Sequence, residues 1–195
     1  MKRLITRCLL VTMLMVMGVT AAVAQKSVLD ESFASGSLPS GWAAGSSWNF
    51  SDGNAQFSSL VEDGVDTLFS PLLSLSALDN KPSVAITYLN KANGEKVNEL
   101  KVLYRASVSD EWSVWKTFSE ASDAQVNLKD VLPDGLANVQ IALAGAYKGG
   151  AETRVYRLAV ENKTEATDAP TGLKVEDLTT SLVRPFRSRL PLMQL

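Results

Sequence analysis

The chain has 195 residues, with 19 basic and 21 acidic side chains, one cysteine and no histidine. Without histidine, Ser–His and Cys–His nucleophilic machinery and zinc sites built on His are excluded. A formal charge of −2 argues against a nucleic-acid role, because phosphate contacts require concentrated positive charge.

Residues 1–24 read as a leader. Lys2, Arg3 and Arg7 form a positive start, residues 9–19 are apolar, and Ala22-Val23-Ala24 is a small-residue cleavage site. The apolar run is shorter than the roughly 20 residues of a bilayer span. The expected mature chain therefore begins at Gln25, is exported, is secreted or held at the outer cell surface, and has no membrane span. Cys8 leaves with the leader, so no disulfide remains and the domain must fold on its core alone. Removing Lys2, Arg3 and Arg7 leaves 16 basic against 21 acidic residues, a net −5.

Residues 28–48 open the domain. Val28, Leu29 and Phe33 mark a short apolar strand, and Ser35-Gly36-Ser37 loosens the chain. Pro39 fixes its own φ and pushes Leu38 towards an extended conformation, while Gly41 permits a sharp turn before Trp42. Trp42 is expected to plug a core edge. Further on, Val84, Ile86 and Tyr88 alternate with their neighbours, as do Leu100, Val102 and Tyr104. This period of two is the signature of half-buried strands. Residues 112–118 return from the polar turn at 107–111 and complete a hairpin. Val139, Ile141 and Leu143 alternate again. Val155, Leu158 and Val160 mark a final strand whose spacing slips once, as at a bulge.

Turn residues recur between these runs, at Asp52-Gly53-Asn54, Asn93-Gly94 and Pro133-Asp134-Gly135. Residues 145–150, GAYKGG, read as another turn. Many short strands with regular turns and no helical period predict an all-β fold, an antiparallel sandwich spanning residues 25–161. Residues 162–170 are polar and read as a linker.

No catalytic constellation stands out. A carboxylate pair, as in glycoside hydrolysis, is the one arrangement left open, and nothing singles one out. Binding is the better expectation. The flat ring of an aromatic side chain can take the apolar face of a sugar. Trp112, Trp115, Trp48 and Tyr147 are the candidate ligand residues. Trp112 and Trp115 differ by three positions, so on a regular strand they cannot share a face. Calcium needs about six to eight oxygen ligands, and Asp30, Glu31, Asp52, Glu62, Asp63 and Asp66 lie early in the domain.

Three segments carry a resemblance. They are residues 30–48 with Leu38-Pro39-Ser40-Gly41-Trp42, residues 66–75 (DTLFSPLLSL), and residues 100–105 with Trp112. Together they resemble the cleaved-adhesin and choice-of-anchor J domains of secreted Bacteroidetes proteins. The resemblance implies a jelly-roll β-sandwich and a non-catalytic adhesion module for a glycan or an extracellular protein. The alternative it leaves is an accessory domain of a secreted hydrolase. It also implies a structural calcium between the N-terminal acidic stretch and the last strand, with Glu31 and Asp63 the best candidates. Ala34 and Arg157 depart from that pattern. Residues 171–181 resemble the first strand of a fibronectin type III domain, which implies neighbouring domains in a longer parent protein. Residues 182–195 match neither family and read as an unstructured tail left by a truncation or a frameshift.

Overall fold

The structure is a computed structural model that describes residues 26–58, 61, 63–79 and 81–163. The expected leader, the fibronectin-like strand and the tail lie outside the described residues. Twelve strands are found among the described residues: β1 (Ser27–Glu31), β2 (Ala43–Ala44), β3 (Trp48–Ser51), β4 (Asn54–Phe57), β5 (Val65–Phe69), β6 (Leu73–Ser74), β7 (Pro82–Lys91), β8 (Glu99–Arg105), β9 (Ser113–Phe118), β10 (Val126–Val131), β11 (Asn138–Ala146) and β12 (Glu152–Asn162). They form two antiparallel sheets, so the fold is an all-β sandwich as expected.

The first sheet runs β10-β7-β12-β4-β3, and the second runs β2-β5-β11-β8-β9. Each has one long central strand whose far edge is shared by two short ones. β12 pairs with β4 at Thr153–Val155 and with β1 from Leu158 to Glu161. β11 pairs with β5 from Ala142 to Ala146 and with β6 at Asn138 and Val139. The alternating residues meet between the sheets. Val84, Leu100, Val102, Val139, Ile141, Leu143, Val155, Leu158 and Val160 are all fully buried.

The slip in the last strand is a bulge. Pairing with β7 passes from Val155↔Tyr88 to Arg157↔Thr87, so Tyr156 is the extra residue. That insertion lets Val155 and Leu158, three apart, both face the core. The N-terminal turn folds as read. Trp42 N–H donates to the Pro39 carbonyl at 3.1 Å, and Gly41 takes φ 80°. Phe33 lies beyond β1, is fully buried, and meets the edge of Trp42 at 5.5 Å between centroids. Its φ of 54° is rare for a bulky side chain. Two contacts hold it there. The Glu31 carboxylate accepts its N–H at 2.7 Å, and its carbonyl accepts Gly36 N–H at 3.3 Å.

Two boundaries move from their expected places. Gly145 and Ala146 belong to β11, where they pair with Leu100 and Glu99, so the turn begins at Tyr147. Asn162 ends β12, with its N–H on the Lys26 carbonyl at 2.9 Å, and Lys163 N–H reaches the Lys81 carbonyl at 3.0 Å. These two residues of the segment read as linker belong to the sandwich.

Among its crossings between the sheets, the chain passes from the first to the second between β7 and β8, and from the second to the first between β11 and β12. Asn98, 2% exposed, ties the two crossings together. Its Oδ1 accepts the N–H groups of Lys148 at 3.1 Å and Gly150 at 3.0 Å, and its Nδ2 donates to Thr153 Oγ1 at 3.3 Å. Its carbonyl accepts from Asn90 Nδ2 at 2.7 Å, and Asn90 Oδ1 accepts from Thr153 Oγ1 at 2.8 Å. A Cβ at Gly150 would stand 2.5 Å from the Asn98 backbone nitrogen, so only glycine fits. Asn98→Ala would leave two turn N–H groups without their acceptor, at about 1–3 kcal/mol each. The variant is expected to lose about 2–6 kcal/mol in urea unfolding, with no loss of strand content by circular dichroism below the transition.

Candidate ligand-binding cleft

β9 is the outer edge of the second sheet and β10 the outer edge of the first. Where they meet, the β8–β9 register jumps from Val102↔Lys116 to Leu103↔Val114, which makes Trp115 an extra residue. Bulges at sheet edges re-aim side chains. Here the indole turns into the seam between the sheets, and its Nε1–H donates to the Val131 carbonyl on β10 at 3.1 Å. An open cleft of about 400 Å³ lies at this seam, within the usual size range of small-molecule sites. Tyr104 and Trp115 supply its aromatic surface, and Val114, Leu132 and Pro133 supply apolar surface.

Two ion pairs complete it. Lys116 Nζ lies 2.7 Å from an Asp130 oxygen and links the two sheet edges. Lys81 Nζ lies 2.8 Å from Asp134. The Lys116 ammonium also stands 5.8 Å from the centre of the Trp115 ring, within cation–π reach. Lys116, and then the Val131 N–H, hold the Asp130 carboxyl below its usual range. Asp130 is thus kept ionised, the reverse of what a general acid for glycoside hydrolysis needs. The arrangement offers a flat apolar ring beside fixed donors and acceptors, which suits a ligand with one apolar face and several hydroxyls.

The other sequence candidates fall elsewhere. Trp112 is half-buried on the outer face of the second sheet. The Arg105 guanidinium stacks over its ring at 4.3 Å, and Phe69 lies 5.7 Å away. Arg105 thus covers one ring face of Trp112. Trp48 is a correction: it is 5% exposed and packs on Phe57 at 5.6 Å, so it has no face to offer a ligand. Tyr147 packs against the core at the start of the β11–β12 turn, away from the cleft-lining residues, with its N–H on the Gly64 carbonyl at 3.0 Å. The cleft therefore gathers one of the four expected residues. The β10 wall, Asp130 to Asp134, holds none of the expected residues. The Pro133-Asp134-Gly135 turn was the one available signal there.

Glu31 and Asp63 are not brought together in the structure. Glu31 lies opposite Leu158 midway along β12 and is engaged by Phe33 N–H. Asp63 sits beside the β11–β12 turn, in an ion pair with Lys148 that raises the lysine's affinity for its proton. Among the described residues no three His, Cys, Asp or Glu side chains gather as a metal would require. The acidic N-terminal stretch does meet the last strand, since Asp30 pairs with Ala159. The cation at that meeting is Arg157. Its Nε lies 2.7 Å from Asp30, and its second terminal nitrogen lies 3.2 Å from Glu161, which Lys129 also contacts at 2.9 Å. The carboxylates at that meeting are thus paired with a guanidinium.

Two outcomes are expected. Chelator and added calcium should each leave the melting midpoint of the wild-type chain unchanged. Arg157→Ala, which leaves buried Glu161 to Lys129 alone, should lower stability by about 1–3 kcal/mol in either condition. The second outcome concerns acid. Asp130 takes up its proton less readily folded than unfolded, so the unfolded chain holds more protons as pH falls towards the usual value of 3.8. Stability is therefore present above that value and is lost as pH falls below it. Lys116→Gln removes the main cause. Urea midpoints of this variant should fall less steeply than wild type between about pH 5 and 3.

No protein-family model matches the chain. No relative is found by sequence among curated proteins. Among solved structures, a cleaved adhesin domain of Lys-gingipain from Porphyromonas gingivalis is similar over 71% of this chain and 100% of that one, with TM-score 0.52 and 13% identity. A mutant family 29 carbohydrate-binding module, complexed with mannohexaose, is similar over 71% of this chain and 93% of that one, with TM-score 0.52 and 17% identity. At these identities the likeness establishes the fold, a jelly-roll β-sandwich.

Proposed function

We propose that the chain is a non-catalytic binding module that takes a glycan at the seam cleft. The observation that carries this is Trp115, which a bulge turns into the cleft and a hydrogen bond to Val131 fixes in orientation. A ring held in place before the ligand arrives loses little entropy on binding. Asp130 and Lys116 stand beside it to meet hydroxyl groups. The fold likeness supports the reading, since one similar structure is an adhesin domain and another was solved with mannohexaose. The basic, apolar and small-residue pattern of residues 1–24 supports export, so the ligand would be met outside the cell. Such a module serves equally on a surface adhesin or beside the catalytic part of a secreted hydrolase.

The test is a glycan array followed by titration calorimetry on the full chain. Wild type is expected to retain at least one oligosaccharide. Trp115→Ala should lose that binding by a factor of about ten or more, since aromatic contacts and the area they bury account for 1.4 kcal/mol or more. Trp112→Ala should keep it, because that ring serves Arg105 and Phe69 instead. Binding that survives Trp115→Ala and disappears with Trp112→Ala would move the site to the outer face of the second sheet.

A further inference from the structure

We propose that the cleft takes a neutral sugar ring, that a vicinal diol of this ring bridges the Lys116–Asp130 pair, and that the cleft rejects anionic sugars. The inference rests on the glycan reading and adds the class of sugar. It follows from how the charges are matched. The charged side chains lining the cleft are Lys81, Lys116, Asp130 and Asp134. Each lysine already faces an aspartate, at 2.7 Å for Lys116–Asp130 and 2.8 Å for Lys81–Asp134. The cleft therefore carries strong hydrogen-bonding groups and no surplus positive charge.

The bonding capacity left over matches a hydroxyl pair. A carboxylate has about four lone-pair positions and an ammonium three N–H donors. Asp130 uses one oxygen for the Val131 N–H at 2.8 Å and the other for Lys116. Each of its oxygens keeps one free position, and Lys116 keeps donors beyond the one aimed at Asp130. A hydroxyl both donates and accepts. One hydroxyl of a diol can donate to Asp130 while its neighbour accepts from Lys116, and the ion pair stays intact. Both new bonds are charge-assisted. The Trp115 N–H is committed to Val131, so this ring offers its face, which suits the C–H surface of a pyranose.

An anionic sugar meets the opposite situation. Its carboxylate or sulfate would compete with Asp130 for Lys116, or with Asp134 for Lys81. Either exchange leaves an aspartate beside a like charge, a costly juxtaposition. Asp130 does not escape by taking a proton near neutral pH, because Lys116 holds its carboxyl below the usual range.

The test titrates the full chain with neutral manno-, gluco- and galacto-hexaoses, and with oligogalacturonate and a sulfated hexasaccharide, at low and high salt. The expected result is binding of at least one neutral sugar with affinity nearly independent of salt, and none of the acidic ones. Asp130→Ala should weaken that binding about tenfold, with partial recovery in Asp130→Asn, which retains an acceptor. Acidic sugars bound more tightly than neutral ones, with affinity falling as salt rises, would overturn the charge rule and leave the glycan reading standing. Neutral binding indifferent to Asp130→Ala would overturn the diol bridge alone. No binding by any sugar would remove the glycan reading and this inference together.

Discussion

Asn98 is the constraint on which the rest of the sandwich depends. A two-sheet fold must carry its chain from one sheet to the other, and each crossing strips backbone groups of their ladder partners. Here the β7–β8 and β11–β12 crossings come together, and one amide side chain answers both. It accepts two N–H groups of the second crossing while its own backbone carbonyl is held by Asn90 from the end of β7. Thr153 closes the ring of contacts. A buried polar cluster with each member engaged is directional in a way apolar packing is not. It sets where the long strands β11 and β12 begin and end, and so which of their residues reach the core.

Most of the fold was legible because its central strands are buried on the core face and alternate cleanly. Val139, Ile141 and Leu143 could hardly be read otherwise, and even the irregular spacing at Tyr156 showed in the sequence. β10 was not legible. Its core-side positions begin with Val126 and Leu128 but continue with Asp130, while Val131 falls on the outer side. Asp130 sits there because it pairs across the seam with Lys116, a tertiary partner that no local pattern reveals. The glycine run at 145–150 misled for a related reason. Gly145 reads as a turn residue, yet it lies in β11 because its missing Cβ makes room for the Phe57 ring, which would stand 2.4 Å from it.

The candidate site was legible only in its residue types. That Trp112 and Trp115 part company follows from their spacing, but the structure separates them by a bulge, and alternation alone could not say which one serves a cleft. Trp48 shows the limit of composition as a guide, because a tryptophan in a sandwich fills a core as readily as it greets a ligand. The charged residues followed a similar course. Asp30 and the last strand do meet, and Arg157 brings to that place a positive charge carried by the chain itself. A covalently attached cation needs no capture from solution and no release of bound water, and it holds β1 against β12 with directional bonds.

The same strands decide how the module carries load. β1 and β12 are antiparallel neighbours, and Asn162 N–H is bonded to the Lys26 carbonyl, so the chain enters and leaves the sandwich side by side. Tension on its two ends would meet the β1–β12 bonds one after another, as a zipper opens, and not all at once in shear. The Asp30–Arg157–Glu161 bridge spans this same pair of strands, a few residues in from the opening end.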